Sequence, residues 1–112
     1  MSPLKVTRRD ATTGPVLEII GELDHTTAPQ LREHVTALSL RPGQLLVLDL
    51  TLMEFCDSSG ITAFIAARNH THALQADVAL SAVPAHTLRV LRIVGLDQVF
   101  ALHPDSGSAC GA

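Results

Sequence analysis

Apolar positions along the chain recur with periods of two and of three to four residues, and the switches between the two outline its elements. Residues 4–10 and 16–22 read as two strands joined by a turn at Thr12-Thr13-Gly14-Pro15. The second carries Val16-Leu17-Glu18-Ile19-Ile20 and ends at Gly21. Thr27-Ala28-Pro29-Gln30 has the form of a capping box, with proline in the first turn where its missing N–H costs nothing. Leu31, Val35 and Leu38 follow at i, i+4 and i+7, which predicts a helix to about Leu38, ended by Arg41-Pro42-Gly43. Leu45–Leu50 is nearly all apolar, as suits a parallel strand covered on both faces. A second helix is predicted from about Ser59 to Leu74, its period set by Ile61, Phe64, Ile65 and Arg68. Val78, Leu80 and Ala82 alternate in a further strand. Pro84 then opens a third helix along Leu88, Leu91 and Val94, stopped by Gly95, and Val99–Leu102 is a short last strand.

The order β-β-α-β-α-β-α-β predicts an α/β fold with a mostly parallel central sheet, right-handed crossovers and one antiparallel N-terminal strand. Residues 1–103 are expected to form a single domain. Residues 104–112, mostly small and without periodicity, are expected to be a flexible C-terminal tail. The turns after the second, third and fourth strands should all emerge at the carboxyl edge of the sheet, where open α/β sheets present their binding surfaces. That edge then carries Asp24-His25-Thr26, Asp57-Ser58-Ser59 and Pro84-Ala85-His86.

Composition narrows the function. A hydrophobic content of 46% supports a well-buried core, and 3% aromatic content makes it aliphatic. With no Trp or Tyr, the chain lacks the stacking platforms of single-stranded nucleic-acid binders. A net charge of −3 gives no electrostatic footprint for DNA or RNA, so no nucleic-acid partner is expected. No apolar run approaches the roughly 20 residues of a membrane span, and residues 1–10 are too polar for a signal peptide, so no membrane partner and a cytoplasmic location are expected. Cys56 and Cys110 lack CxxC spacing, and one abuts a buried strand while the other lies in the small-residue tail, which disfavours a disulfide.

Asp57-Ser58-Ser59-Gly60 is the stretch that carries chemistry, because it stands where a strand hands over to a helix. Unpaired N–H groups and the positive end of the helix dipole meet there, a setting that tolerates phosphate. The plain reading is an N-cap, with Asp57 or Ser58 accepting from the first turn, and a cap does not exclude a modifiable hydroxyl beside it. A nucleophile elbow would need G-x-S-x-G, and Cys56-Asp57-Ser58-Ser59-Gly60 lacks the first glycine. A triad with His25 or His86 and Asp24 can be drawn, but 112 residues leave little room for a substrate cleft. The glycine-rich loop and lysine of a nucleotide cradle are missing as well. His70-Thr71-His72 is not an i, i+4 ligand pair, so no metal and no cofactor are expected.

Four landmarks in order resemble the STAS-domain anti-sigma factor antagonists of bacteria over roughly residues 4–102. They are Gly21-Glu22-Leu23-Asp24, Leu48-Asp49-Leu50, Phe55-Cys56-Asp57-Ser58-Ser59-Gly60 and Gly95-Leu96-Asp97-Gln98-Val99-Phe100. The resemblance implies a STAS fold and a switch protein without catalysis of its own. Unphosphorylated, it would bind an anti-sigma factor with a histidine-kinase-like ATP-binding fold and so free a sigma factor. That partner, also a serine kinase, would phosphorylate the first serine of the motif, here Ser58, and a serine phosphatase would restore it. Asp24 and Asp57 match family positions near that serine. The expected partner surface is Asp24, His25, Thr26, Asp57, Ser58, Ser59, Gly60 and Ile61. The other reading of the same fold is a STAS scaffold or sensor module in a signalling assembly or transporter complex.

Overall fold

The computed structural model describes residues 3–109. Strand β1 (Lys5–Ala11) turns through Thr12 and Thr13 into β2 (Gly14–Leu23), and the two pair antiparallel, from Lys5 opposite Ile20 to Ala11 opposite Gly14. Gly14 is indispensable to that corner: its φ is +148°, and a Cβ would lie 2.2 Å from the carbonyl oxygen of Leu45. Helix α1 (Ala28–Thr36), β3 (Leu45–Asp49), β4 (Met53–Cys56) and helix α2 (Ser58–Ala73) follow. Strand β5 (Asp77–Ser81), helix α3 (Ala85–Ile93), a 3-10 turn (Leu96–Gln98), β6 (Ala101–His103) and the short helix α4 (Ser106–Ala109) complete the chain.

The sheet runs β1-β2-β3-β5-β6, and every pair beyond β1–β2 is parallel. The mostly parallel α/β sheet inferred from the element order is therefore present. The sequence reading omitted β4, which pairs in parallel with the far end of β2 through Glu22 opposite Phe55 and Leu23 opposite Cys56. Its burial runs buried-exposed-exposed-buried, the i, i+3 spacing of a helix face rather than the alternation of a strand. An Asx turn makes room for it: Asp49 Oδ1 accepts from Thr51 N at 3.0 Å and from Thr51 Oγ1 at 2.6 Å.

Leu17, Leu46, Leu48 and Leu80 share a core with Leu31 and Val35 of α1, Phe64 of α2 and Leu91 of α3. Val16 and Val47, the alternate positions of β2 and β3, cluster instead with Ala109 of α4. The C-terminal segment thus differs from the expected tail: Asp105 Oδ1 accepts from Ser108 N at 2.7 Å, capping one helical turn that seats Ala109. Residues 110–112 lie outside the described residues. The third helix also departs in detail. Thr87 and Leu91 are its buried positions, whereas Leu88 is half-buried and Val94 is 57% exposed, so of the expected stripe only Leu91 is buried.

Candidate functional site

The site grows from two capped corners at the carboxyl edge of the sheet. At the first, Asp24 ends β2 and turns its carboxylate back on its own loop. Oδ1 accepts from Thr26 N at 2.9 Å, from Thr27 N at 3.0 Å and from Thr27 Oγ1 at 3.2 Å. Chiefly the Thr27 N–H, then the Thr26 N–H and the Thr27 hydroxyl, hold the carboxyl below its ordinary pKa, against a smaller opposing effect of burial. Thr27 does not close the expected capping box. Its one hydroxyl proton is shared between the Glu22 carbonyl at 2.8 Å and Asp24 Oδ1, its oxygen accepts from Asp24 N at 2.9 Å, and no side-chain bond caps α1. Asp24 therefore locks the corner, leaving His25 and Thr26 exposed.

At the second corner Asp57 is the N-cap of α2. Its backbone is extended, and Oδ1 accepts from Ser59 N at 2.8 Å and Gly60 N at 3.3 Å. The two corners are tied together: Asp57 N donates to the Leu23 carbonyl at 3.2 Å, one residue before Asp24. Ser58, the first residue of the helix, is exposed, and its carbonyl accepts from Thr62 Oγ1 at 2.9 Å. Among the described residues, its own hydroxyl bonds to no histidine. Of the two caps the sequence allowed, Asp57 is the one formed, and it already holds two amides of the first turn.

Helix α2 has a different neighbour on each side. Towards α1, Ser59 and Thr62 share a shallow depression of about 200 Å³ with His25, Ala28, Pro29 and Arg32. Towards α3 lies a larger groove of about 590 Å³, with Ser58 at its side and Phe55, Ile61, Ile65, Val90 and Val94 among its walls. The structure thus brings His25 and Ser59 together on one side and Asp57, Ser58 and Ile61 on the other. Thr26 lines neither depression. Gly60 is buried beneath the helix start, and Ile61 is 9% exposed, reaching the groove from the core.

Sequence reasoning missed the groove's exposed walls, Phe55 and Val94, together with Val90. Phe55 was hidden because β4 was not recognised, and Val94 because its i, i+3 spacing from Leu91 assigned it to the core. Cys56 is buried below the groove, and burial, helped by the Asp57 charge, pushes its thiol up to about 12. It is a core group and no nucleophile. No helix among the described residues is long and apolar enough to cross a membrane.

These features coincide with the STAS domain, whose family model matches residues 4–109, and the chain belongs to that family. Within it, the chain is similar to anti-sigma factor antagonists. It is 27% identical over 93 residues to the anti-sigma-B factor antagonist of Listeria monocytogenes, covering 83% of this chain and 82% of that one. The crystal structure of an anti-sigma factor antagonist from Mycobacterium paratuberculosis superposes with a TM-score of 0.83 at 27% identity, covering 95% of this chain and 90% of that one. The anti-sigma factor antagonist SpoIIAA in its unphosphorylated form shares the fold, with a TM-score of 0.74 at 17% identity over 94% of this chain and 93% of that one.

Proposed function

We propose that this protein is an anti-sigma factor antagonist whose partner binding is switched by phosphorylation of Ser58. In this reading the unphosphorylated form binds an anti-sigma factor with a histidine-kinase-like fold and releases a sigma factor. The carrying observation is the position of the Ser58 hydroxyl: exposed, on a helix start fixed by Asp57, at the side of a groove with apolar walls. Family membership and the names of the similar proteins support the same reading.

The chemistry asked of this chain is small. Ser58 Oγ forms a bond to the γ-phosphorus of ATP held by the partner, the bond to the bridging oxygen breaks, and ADP leaves. The hydroxyl proton passes to a base of the kinase. What the domain supplies is a hydroxyl at a defined place, because Asp57 fixes the first turn. The product carries about −1.5 to −2 charge. At a contact that must lose water, beside Asp57 and near Asp24, such a group raises the free energy of the complex. Turning a mostly bound pair into a mostly free one takes on the order of 5 kcal/mol, within reach of one dianion forced into an interface. A serine phosphatase hydrolyses the ester and resets the switch.

The test is incubation with ATP and a histidine-kinase-like anti-sigma factor from the same cell, followed by site mapping by mass spectrometry. Modification should fall on Ser58. Ser58→Ala should escape modification and still bind, and Ser58→Asp should bind at least tenfold more weakly, a loss of about 1.4 kcal/mol. Modification mapped to Ser59, or equal binding by both variants, rules the reading out.

A further inference from the structure

The two helices that flank the groove differ in what the amides of their first turns meet. Asp57 already occupies the Ser59 and Gly60 amides at the start of α2. Helix α3 starts differently. Its N-cap is Pro84, which has no side-chain acceptor to offer, and the first bond of the helix is Leu88 N to the Pro84 carbonyl at 2.9 Å. The amides of Ala85, His86 and Thr87 precede that bond and meet no acceptor among the described residues.

Thr87 supplies an independent observation. It is 4% exposed and lines the same groove as Ser58, yet its hydroxyl has no hydrogen-bond partner within residues 3–109. The oxygen is not sealed in the core, so what it meets is the solvent of the groove, and an anion there can take the place of water. Beside it His86, exposed and on the same groove, adds a side chain that can donate to an anion. Thr87, His86 and the start of a nine-residue helix therefore lie along the groove that Ser58 also lines.

We propose that the start of α3 is a receptor for the phosphomonoester on Ser58, with Thr87 Oγ1, His86 and the first-turn amides as donors. The phosphate is drawn across the groove rather than onto its own helix. Held there, it bridges α2 and α3 and screens the apolar walls formed by Ile61, Val90 and Val94. Phosphorylation then acts twice: it adds charge, and it closes the groove to an apolar side chain of the partner. This inference rests on the reading of Ser58 as the phosphorylated residue.

Its test needs no kinase. Phosphoserine is installed at position 58 by codon reassignment, in the wild-type background and in a Thr87→Val/His86→Ala background. Valine matches threonine in shape and leaves no hydroxyl unmatched, so the variant keeps the fold, which the unmodified spectra verify. In the wild type, the amide resonances of His86 and Thr87 should move on phosphorylation, together with those near Ser58. A nonspecific phosphatase should remove the phosphate roughly tenfold more slowly from the wild type than from the double variant, one charge-assisted hydrogen bond's worth of protection. Shifts confined to residues 55–62, or equal hydrolysis rates, overturn the receptor and leave the antagonist reading intact. A failure of the anti-sigma kinase to modify Ser58 sinks that reading without touching the behaviour of the installed phosphoserine.

Discussion

Gly60 and Cys56 are pressed together at the junction of β4 and α2: a Cβ on Gly60 would stand 2.5 Å from Cys56 Sγ. The same atom would come within 2.9 Å of Leu23 Cδ2 and 3.0 Å of Leu23 Cγ. The closeness follows from topology. Strand β4 lies against β2 with Cys56 opposite Leu23, and one residue later the chain turns into α2, whose first turn passes directly over that pair. The glycine thus sets how near Ser58 sits to the sheet edge.

Gly60→Ala should therefore destabilise the fold by about 1–3 kcal/mol, the range for overpacking a filled core, despite alanine's better helix propensity. Urea unfolding gives the number. Cys56→Ala removes the sulfur and should recover part of the loss, so a double-mutant cycle should show coupling between the two positions. Additive effects would mean that Leu23 alone meets the new methyl.

Much of this site could be read from the residues, and the reasons divide cleanly. Asp57 as cap and Ser58 as an outward hydroxyl follow from local chemistry, since an aspartate ahead of an apolar-periodic run can satisfy the helix amides within its own turn. Strand β3 was legible because burial on both faces demands a near-continuous apolar run, and β5 because its larger apolar residues alternate. Strand β4 was not legible. Four residues whose two ends are buried while the middle is exposed lack the alternation of a strand, and pairing with β2 is a long-range choice. The groove was invisible for a related reason: Phe55 and Val94 come to line it only after β4 and α3 have been placed.

Asp57→Ala should cost about 1 kcal/mol, because the Ser59 and Gly60 amides lose their acceptor. For a domain of this size that lowers the melting temperature by roughly 4–8 °C. Asp57→Asn keeps an acceptor oxygen and should recover most of the loss. Thermal unfolding followed by circular dichroism separates the two. Equal melting temperatures for wild type and Asp57→Ala would show that the cap contributes nothing net.

Cys56 should be inert in the native protein. Its thiol rises from 9.0 to about 12, a difference of 3, so the thiolate fraction at neutral pH falls on the order of a thousandfold. In a Cys110→Ala background, iodoacetamide at about pH 8 should label the native chain far more slowly than the urea-unfolded chain. The sign for stability follows from the raised value. Below the unfolded pKa near 9 the protein keeps the full contribution, and between there and about 12 it loses it, as the unfolded chain sheds a proton that the native chain retains. Rapid labelling of the folded chain would place the sulfur at the surface.

Asp24 gives the opposite pH dependence. Its carboxyl is held below the ordinary value, above all by the Thr27 N–H, so the folded state binds a proton less readily than the unfolded state. The stabilisation is present above the unfolded pKa of about 4 and fades as pH falls through the lower folded value. Asp24→Asn keeps an oxygen that Thr26 N and Thr27 N can still use, but it cannot titrate. The urea midpoint of the wild type minus that of Asp24→Asn should therefore shrink between about pH 7 and about pH 2.5. Asp105, also lowered by the N–H of its own cap, is present in both proteins and cancels in the difference. A difference that stayed constant with pH would mean that the loop carrying His25 and Thr26 is held by its shape alone, with no help from the charge on Asp24.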